Sequence, residues 1–248
     1  MIDVHCHLDQ LHDKVNAIVK SQELCAVISS GIRPGSWQEH IQLAREHRIN
    51  ISLGLHPFFV NENFGQELES LESLLGADQL VAIGETGLDY HRETLSDRQA
   101  QKDALIRQLG WAESRQLPVI VHCRKAFDDF WKIVQPFDVS LVFHAFSGGP
   151  DDLKKALARH AMISFGFPMT YENNKKQQQM LRETPLEHIV FETDAPYMAS
   201  TPLDIGSVYR QASILKHIER PELVSRVRQN VGRTWKNMTF LSSCVPLG

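Results

Sequence analysis

The stretch MIDVHCHLDQ (residues 1–10) decides between two ways of arranging this chain. Ile2–Cys6 is a short, β-rich apolar run of the kind that forms a buried strand. Leu8-Asp9-Gln10, just after it, has none of the glycines that a dinucleotide-binding turn or a phosphate-binding loop needs after a first strand. Seven further runs of the same kind follow at Leu24–Ser29, Asn50–Leu55, Leu80–Gly84, Pro118–Val121, Val139–Phe143, Ala161–Phe165 and His188–Phe191. Longer amphipathic stretches alternate with them, among them Trp37–His47, Ser96–Arg115, Ala126–Val134 and Asp151–Arg159. Pro34 and Ser36 mark one helix start, and Gly149-Pro150-Asp151 marks another. Repeated βα units imply a parallel sheet, either open and doubly wound or closed into a barrel. Eight strands without the glycine fingerprint favour the α/β class and a (β/α)8 TIM barrel. Val208–His217 would close that barrel, and Pro221–Met238 would be an extra C-terminal helix packed outside.

The length, 248 residues, matches the roughly 250 typical of one such barrel. No linker, internal repeat or low-complexity tract interrupts the chain, so a single domain over 1–248 is expected. The run NNKKQQQ (173–179) is polar on every face and reads as an exposed helix start, not as a nucleic-acid arm. With 42% hydrophobic and 23% charged residues, the chain is an ordinary globular protein and not a disordered one. Its net charge of −4 supplies no global positive field, which argues against a tight, sequence-reading DNA binder. An enzyme that grips a phosphodiester through bound metal stays compatible with that charge. Cys6, Cys25, Cys123 and Cys244 form no CxxC pair and no framework spacing, so neither a zinc ribbon nor a disulfide scaffold is suggested. The N-terminus has no basic and apolar leader pattern, and no apolar run reaches the roughly 18 residues of a membrane span. A cytoplasmic protein without membrane contact, working as a monomer, is the expectation.

Six residues carry the chemistry. His5 and His7 sit at the end of the first strand, two apart, so both imidazoles face one side. Glu85 follows the fourth strand, His122 ends the fifth, His144 the sixth, and Asp194 follows the eighth. All six fall at the C-terminal ends of strands, where barrels of this type place their active sites. Each alone has a plainer explanation. A strand-end histidine is usually a hydrogen-bonded structural group, Glu85 could cap a helix, and Asp194 could be an N-cap ahead of Ala195-Pro196. Gathered at one rim, however, such groups would repel or lie unsatisfied without a cation to coordinate. Four imidazoles and two carboxylates with no thiolate suit Zn, Mn or Co, with Mg fitting a carboxylate-rich position. Cys6 and Cys123 alternate away from their histidine neighbours and read as buried packing residues.

The segments DVHCHLD (3–9), LGLHP (53–57), AIGETGLDY (82–90), PVIVHCR (118–124), VFHAFSGG (142–149) and FETDAPY (191–197) resemble, in order, those of the TatD family of metal-dependent deoxyribonucleases. That resemblance implies an enzyme, a nuclease of the hydrolase class, with two divalent metal ions. His5, His7, Glu85 and Asp194 would hold one ion, and Glu85 would bridge to a second held with His122 and His144. It also implies DNA, or a small phosphoester, as substrate and partner. The expected catalytic residues are Asp194, as general base and then general acid, and the bridging Glu85. Arg124 is either a forked donor to a substrate phosphate or an ordinary surface ion-pair partner. His56, ahead of Pro57, is expected to support the ligands or touch substrate, and Ser147 and Gly148 are expected to offer donors to phosphate.

The chain departs from the family after Tyr197, where many members carry a basic, asparagine-containing loop. Here Met198–Gly206 contains no arginine, and none appears until Arg210. Thr86 stands where an aliphatic residue is common, and Gln229-Asn230 replaces a usual Glu-Asn. The alternative reading keeps the barrel and changes the substrate. An activated water also hydrolyses amides, lactones or esters, as in an aminoacyl-tRNA deacylase or an amidohydrolase. A non-catalytic metal-binding scaffold is the remaining reading, and degenerate scaffolds should have lost ligands that are all present here.

Overall fold

The structure, a computed structural model, describes residues 1–91 and 97–241. Ser96 and Cys244 therefore lie outside the described residues, as does the end of the domain expected over 1–248. The eight strands are β1 (Ile2–Cys6), β2 (Ala26–Gly31), β3 (Asn50–Leu53), β4 (Leu80–Asp89), β5 (Val119–Arg124), β6 (Leu141–Phe143), β7 (Met162–Phe165) and β8 (Ile189–Phe191). Each is followed by a helix: α1 (Val15–Val19), α2 (Pro34–His47), α3 (Phe64–Leu74), α4 (Arg98–Arg115), α5 (Phe127–Val134), α6 (Pro150–Ala158), α7 (Lys175–Glu183) and α8 (Ile205–Lys216). Every sequential pair from β1–β2 to β7–β8 runs parallel. No described helix is long and apolar enough to cross a membrane.

Closure of the barrel falls to a few bonds at the seam. The Asp194 N–H donates to His5 O at 3.0 Å, and the His7 N–H donates to Ala195 O at 2.8 Å. The Asp3 carboxylate accepts from the Thr193 N–H at 3.0 Å and lies 2.5 Å from the Thr193 hydroxyl. These bonds fix the two ligand-bearing ends of β1 and β8 against each other. The strands are buried on both faces, which is why they read as continuous apolar runs and not as alternating ones.

Several strand limits differ from the sequence expectation by one to five residues, and two of the differences bear on the site. β2 starts at Ala26 and runs to Gly31, which brings Ser30 into the barrel wall. β4 continues to Asp89, five residues past the expected end at Gly84. Gly84 and Gly87 have φ of +132° and +149°, a region that side chains other than hydrogen rarely enter. A glycine inside an apolar run suggests an end, whereas here the pair carries a register shift against β5 between Ile83 and Thr86. A Cβ on Gly87 would overlap the His122 carbonyl. Close approach of backbones thus seats Glu85 beside His122.

The extra C-terminal helix is α9 (Arg220–Thr234). It docks under β8 through Asn230, whose amide donates to Leu186 O at 2.8 Å and Ile189 O at 2.7 Å. Cys6 and Cys123 are free and buried, as their alternation implied.

Candidate metal centre and active site

The six residues singled out in the sequence meet at the C-terminal mouth. Five are buried, and His122 is partly so, with 11% of its side chain exposed. His5 Nε2 lies 3.3 Å from Glu85 Oε2 and 3.8 Å from Asp194 Oδ1. His7 Nε2 lies 3.4 Å from the same Asp194 oxygen. Glu85 Oε1 faces His122 Nδ1 at 2.9 Å and His144 Nε2 at 3.7 Å, among other groups, and His144 Nε2 also reaches Asp194 Oδ2 at 3.8 Å. His5, His7 and Asp194 form one set with ligand atoms within 4.8 Å of each other, and His5, Glu85 and His144 form another.

Each imidazole also turns its other nitrogen to a polar group behind the cluster, and at His7 that group fixes the tautomer. His7 Nδ1 faces the Ser30 carbonyl at 2.9 Å, and a carbonyl only accepts. Neutral His7 therefore carries its proton on Nδ1 and presents a bare Nε2 to the cluster. His122 lies between two carboxylates, with Nε2 2.8 Å from Asp89 and Nδ1 2.9 Å from Glu85, and His144 Nδ1 lies 3.0 Å from Glu192. His5 Nδ1 pairs with Ser30 Oγ at 2.9 Å. Carboxylate or carbonyl backing of this kind orients metal-binding histidines and raises their basicity. Glu192 is fixed in turn by the Ala145 N–H at 2.7 Å and the Ser164 hydroxyl at 2.6 Å.

His56 has the opposite arrangement. Its Nδ1 accepts the Phe58 N–H at 3.0 Å, so the proton of the neutral ring is on Nε2, which faces Glu85 Oε1 at 3.4 Å. Ligand atoms of His56, Glu85 and His122 also lie within 4.8 Å of one another. The tautomer argues against it, because ligation through Nε2 would leave the Phe58 N–H facing another N–H. His56 is a hydrogen-bond donor aimed into the site.

Electrostatics follow from burial and neighbours. Burial, then the nearby His144, lowers His5, and burial takes His56 down to about 4. Burial also opposes charge on His7, His122 and His144, but carboxylates outweigh it and all three are raised: Asp194 at His7, Asp89 at His122, and Glu192 with Glu85 at His144. Burial alone would raise the Glu85 and Asp194 carboxyls, yet the surrounding imidazoles hold both below their usual range. Both carboxylates are thus ionised among donor nitrogens. Fully buried His5 Nε2 has no hydrogen-bond partner among the described residues, an orphaned atom pointing at two carboxylates. A divalent cation fits this donor set of nitrogens and oxygens.

The other expected contacts divide. Arg124 is exposed at the end of β5 and forms no ion pair or hydrogen bond through its side chain among the described residues. Ser147 and Gly148 lie in the loop after β6. The Ser147 hydroxyl donates back to Cys123 O at 3.0 Å, and Gly148 is buried against Phe146 and Asp152. Asp89, Glu192 and Ser30 were absent from the sequence-derived set. Glu192 had a usable signal, since it lies two residues before Asp194 at a strand end.

Among known proteins, the profile of the family described as TatD related DNase matches residues 2–236. The chain belongs to the TatD-related DNase family. As a member it is a metal-dependent hydrolase, as the motifs implied. It is 28% identical to YcfH of Escherichia coli K12, named an uncharacterized metal-dependent hydrolase, over 94% of each chain. It is also 28% identical to the 3'-5' ssDNA/RNA exonuclease TatD of Erwinia tasmaniensis, over 89% of this chain and 92% of that one. The crystal structure of the TatD homologue YJJV from E. coli K12 superimposes with a TM-score of 0.87 at 24% identity, covering 95% of this chain and 98% of the other. That likeness establishes the shared barrel.

Proposed function

We propose that this TatD-family hydrolase is a nuclease that cleaves phosphodiester bonds of DNA, using two divalent ions in the cluster at the barrel mouth. One observation carries the proposal: imidazole nitrogens of His5, His7, His122 and His144 converge on the ionised Glu85 and Asp194. His5, His7, Glu85 and Asp194 would hold one ion, and Glu85, His122 and His144 the other. Six ligands exceed the four of a single tetrahedral site, which supports two ions drawn from Zn, Mn, Mg or Co.

When bound, such cations polarise a phosphoryl oxygen and lower the pKa of the attacking water towards neutrality. Asp194, ionised and 3.4 Å from His7 Nε2, accepts the proton of that water and returns it to the leaving oxygen. Glu85 fixes the spacing of the two halves through its two oxygens. His56 donates Nε2–H to a non-bridging phosphoryl oxygen, with its ring held by the Phe58 amide. Arg124, exposed at the end of β5, pairs with a flanking phosphate.

Purified protein loaded with Mn or Zn should release nucleotides from DNA, and Asp194→Asn should remain folded and lose that activity. Absence of cleavage of any phosphoester would overturn the nuclease assignment. The arginine-free loop Met198–Gly206 favours a second reading, hydrolysis of acyl esters or amides by the same site. A substrate panel of DNA, small phosphodiesters and acyl esters separates the two.

A further inference from the structure

Asp194 adopts a left-handed φ of 51°, and its carbonyl accepts from both the Tyr197 N–H at 2.8 Å and the Met198 N–H at 3.0 Å. This tight turn folds the segment after β8 back over the end of β1. There the Tyr197 ring stands edge-on to the His7 ring, with centroids 5.0 Å apart and planes at 73°. The Gln10 side-chain amide donates to the Tyr197 hydroxyl at 2.7 Å. The ring is thus held at its hydroxyl and against a candidate metal ligand, and yet it is 57% exposed. Tyr209 shows the contrasting behaviour of a tyrosine that serves packing, being fully buried with its hydroxyl on Ile2 O. Across the cleft Phe58, half-buried, lies edge-on to His56 at 4.6 Å and to His122 at 5.7 Å. Aromatic rings therefore flank the metal cluster on both sides.

Charge makes the rings matter. The segment Tyr197–Gly206 holds no lysine or arginine, and it holds Asp204, so this segment offers a phosphate no cationic side chain. An exposed ring binds an exposed π-face instead, and every nucleobase has one. Bases within a duplex already stack on their neighbours and cannot offer theirs, whereas unpaired bases at a strand end can. We propose, resting on the nucleic-acid assignment above, that Tyr197 is a stacking platform for a nucleobase of an unpaired strand end.

The test compares two single-stranded oligonucleotides, one with all its bases and one with abasic residues in the last two positions at both ends. The metal-loaded wild type should show a kcat/KM about tenfold higher on the intact strand, in keeping with the usual contribution of one base–aromatic stack. Tyr197→Phe should keep that ratio, and Tyr197→Ala should bring it close to one. Because each protein is its own control, a general loss of folding or metal does not imitate the effect. A wild-type ratio near one, or a tenfold ratio that survives in Tyr197→Ala, overturns the proposal while leaving nuclease activity standing. If the wild type cuts neither strand, nuclease activity itself is excluded and the stacking role goes with it.

Discussion

The backbone N–H of Phe58 donates to His56 Nδ1 across 3.0 Å, and this one bond places the ring proton on the nitrogen that faces Glu85. A histidine so fixed can donate but cannot ligate. His56→Ala should therefore lower kcat on DNA by about 100-fold, the usual cost of losing one donor aimed at developing negative charge. Its metal content by plasma mass spectrometry should equal that of the wild type. Loss of an ion per chain would show that His56 is a ligand after all.

Glu192 acts on the metal only through His144. Glu192→Gln keeps the shape but weakens the acceptor 3.0 Å from His144 Nδ1. Affinity for the more weakly held ion should fall roughly 10- to 100-fold, measured by calorimetric titration of the metal-free protein. Asp89→Asn should do the same through His122 Nε2. An unchanged isotherm for both would mean that the rear partners do not tune the site.

Protons and metal compete for the same nitrogens. His7, His122 and His144 are held above the ordinary histidine value of 6.5, so metal affinity should climb steeply with pH above that value, with protons released on binding. The metal-free protein should show the reverse trend in stability. A histidine whose folded pKa is raised contributes stability that is complete below its unfolded pKa of about 6.5 and is lost as pH rises through the folded value. His56, taken down to about 4, works the other way and only between about 4 and 6.5, so it does not affect the window above. Thermal melts from pH 6 to 9, with chelator and with Mn, provide the check. A melting temperature of the chelated protein that rises across that range would contradict the assignment of charge.

Backbone contact at Gly87 sets the position of Glu85. Gly87→Ala combines a positive φ with overlap on the His122 carbonyl, and should cost at least about 2 kcal/mol by urea unfolding. Gly110→Ala, in open space within α4, should be neutral or slightly stabilising. Equal effects at the two positions would remove the special role of Gly87.

Strand number and order were readable because each strand is a short apolar run, and all six candidate ligands were readable because they end those runs. The glycines of β4 obscured the rest of that strand: Gly84 and Gly87 look like a terminus, so Asp89 fell beyond the expected strand and its contact with His122 could not be anticipated. Ser30 was hidden by a two-residue offset in β2, which alternation cannot correct when every position is buried. Ser147 and Gly148 looked like donors because loops after strands usually offer them. The direction of the Ser147 hydroxyl depends on Cys123 O, a neighbour 24 residues away in sequence that local pattern does not reveal.

Anomalous diffraction from crystals soaked in Mn would bear most directly on the central claim, that six side chains at the barrel mouth hold a pair of catalytic cations. Two peaks are expected, one within reach of His5, His7, Glu85 and Asp194, the other within reach of Glu85, His122 and His144. No peak among these residues at saturating metal, or an ion seated on His56 Nε2, would contradict it.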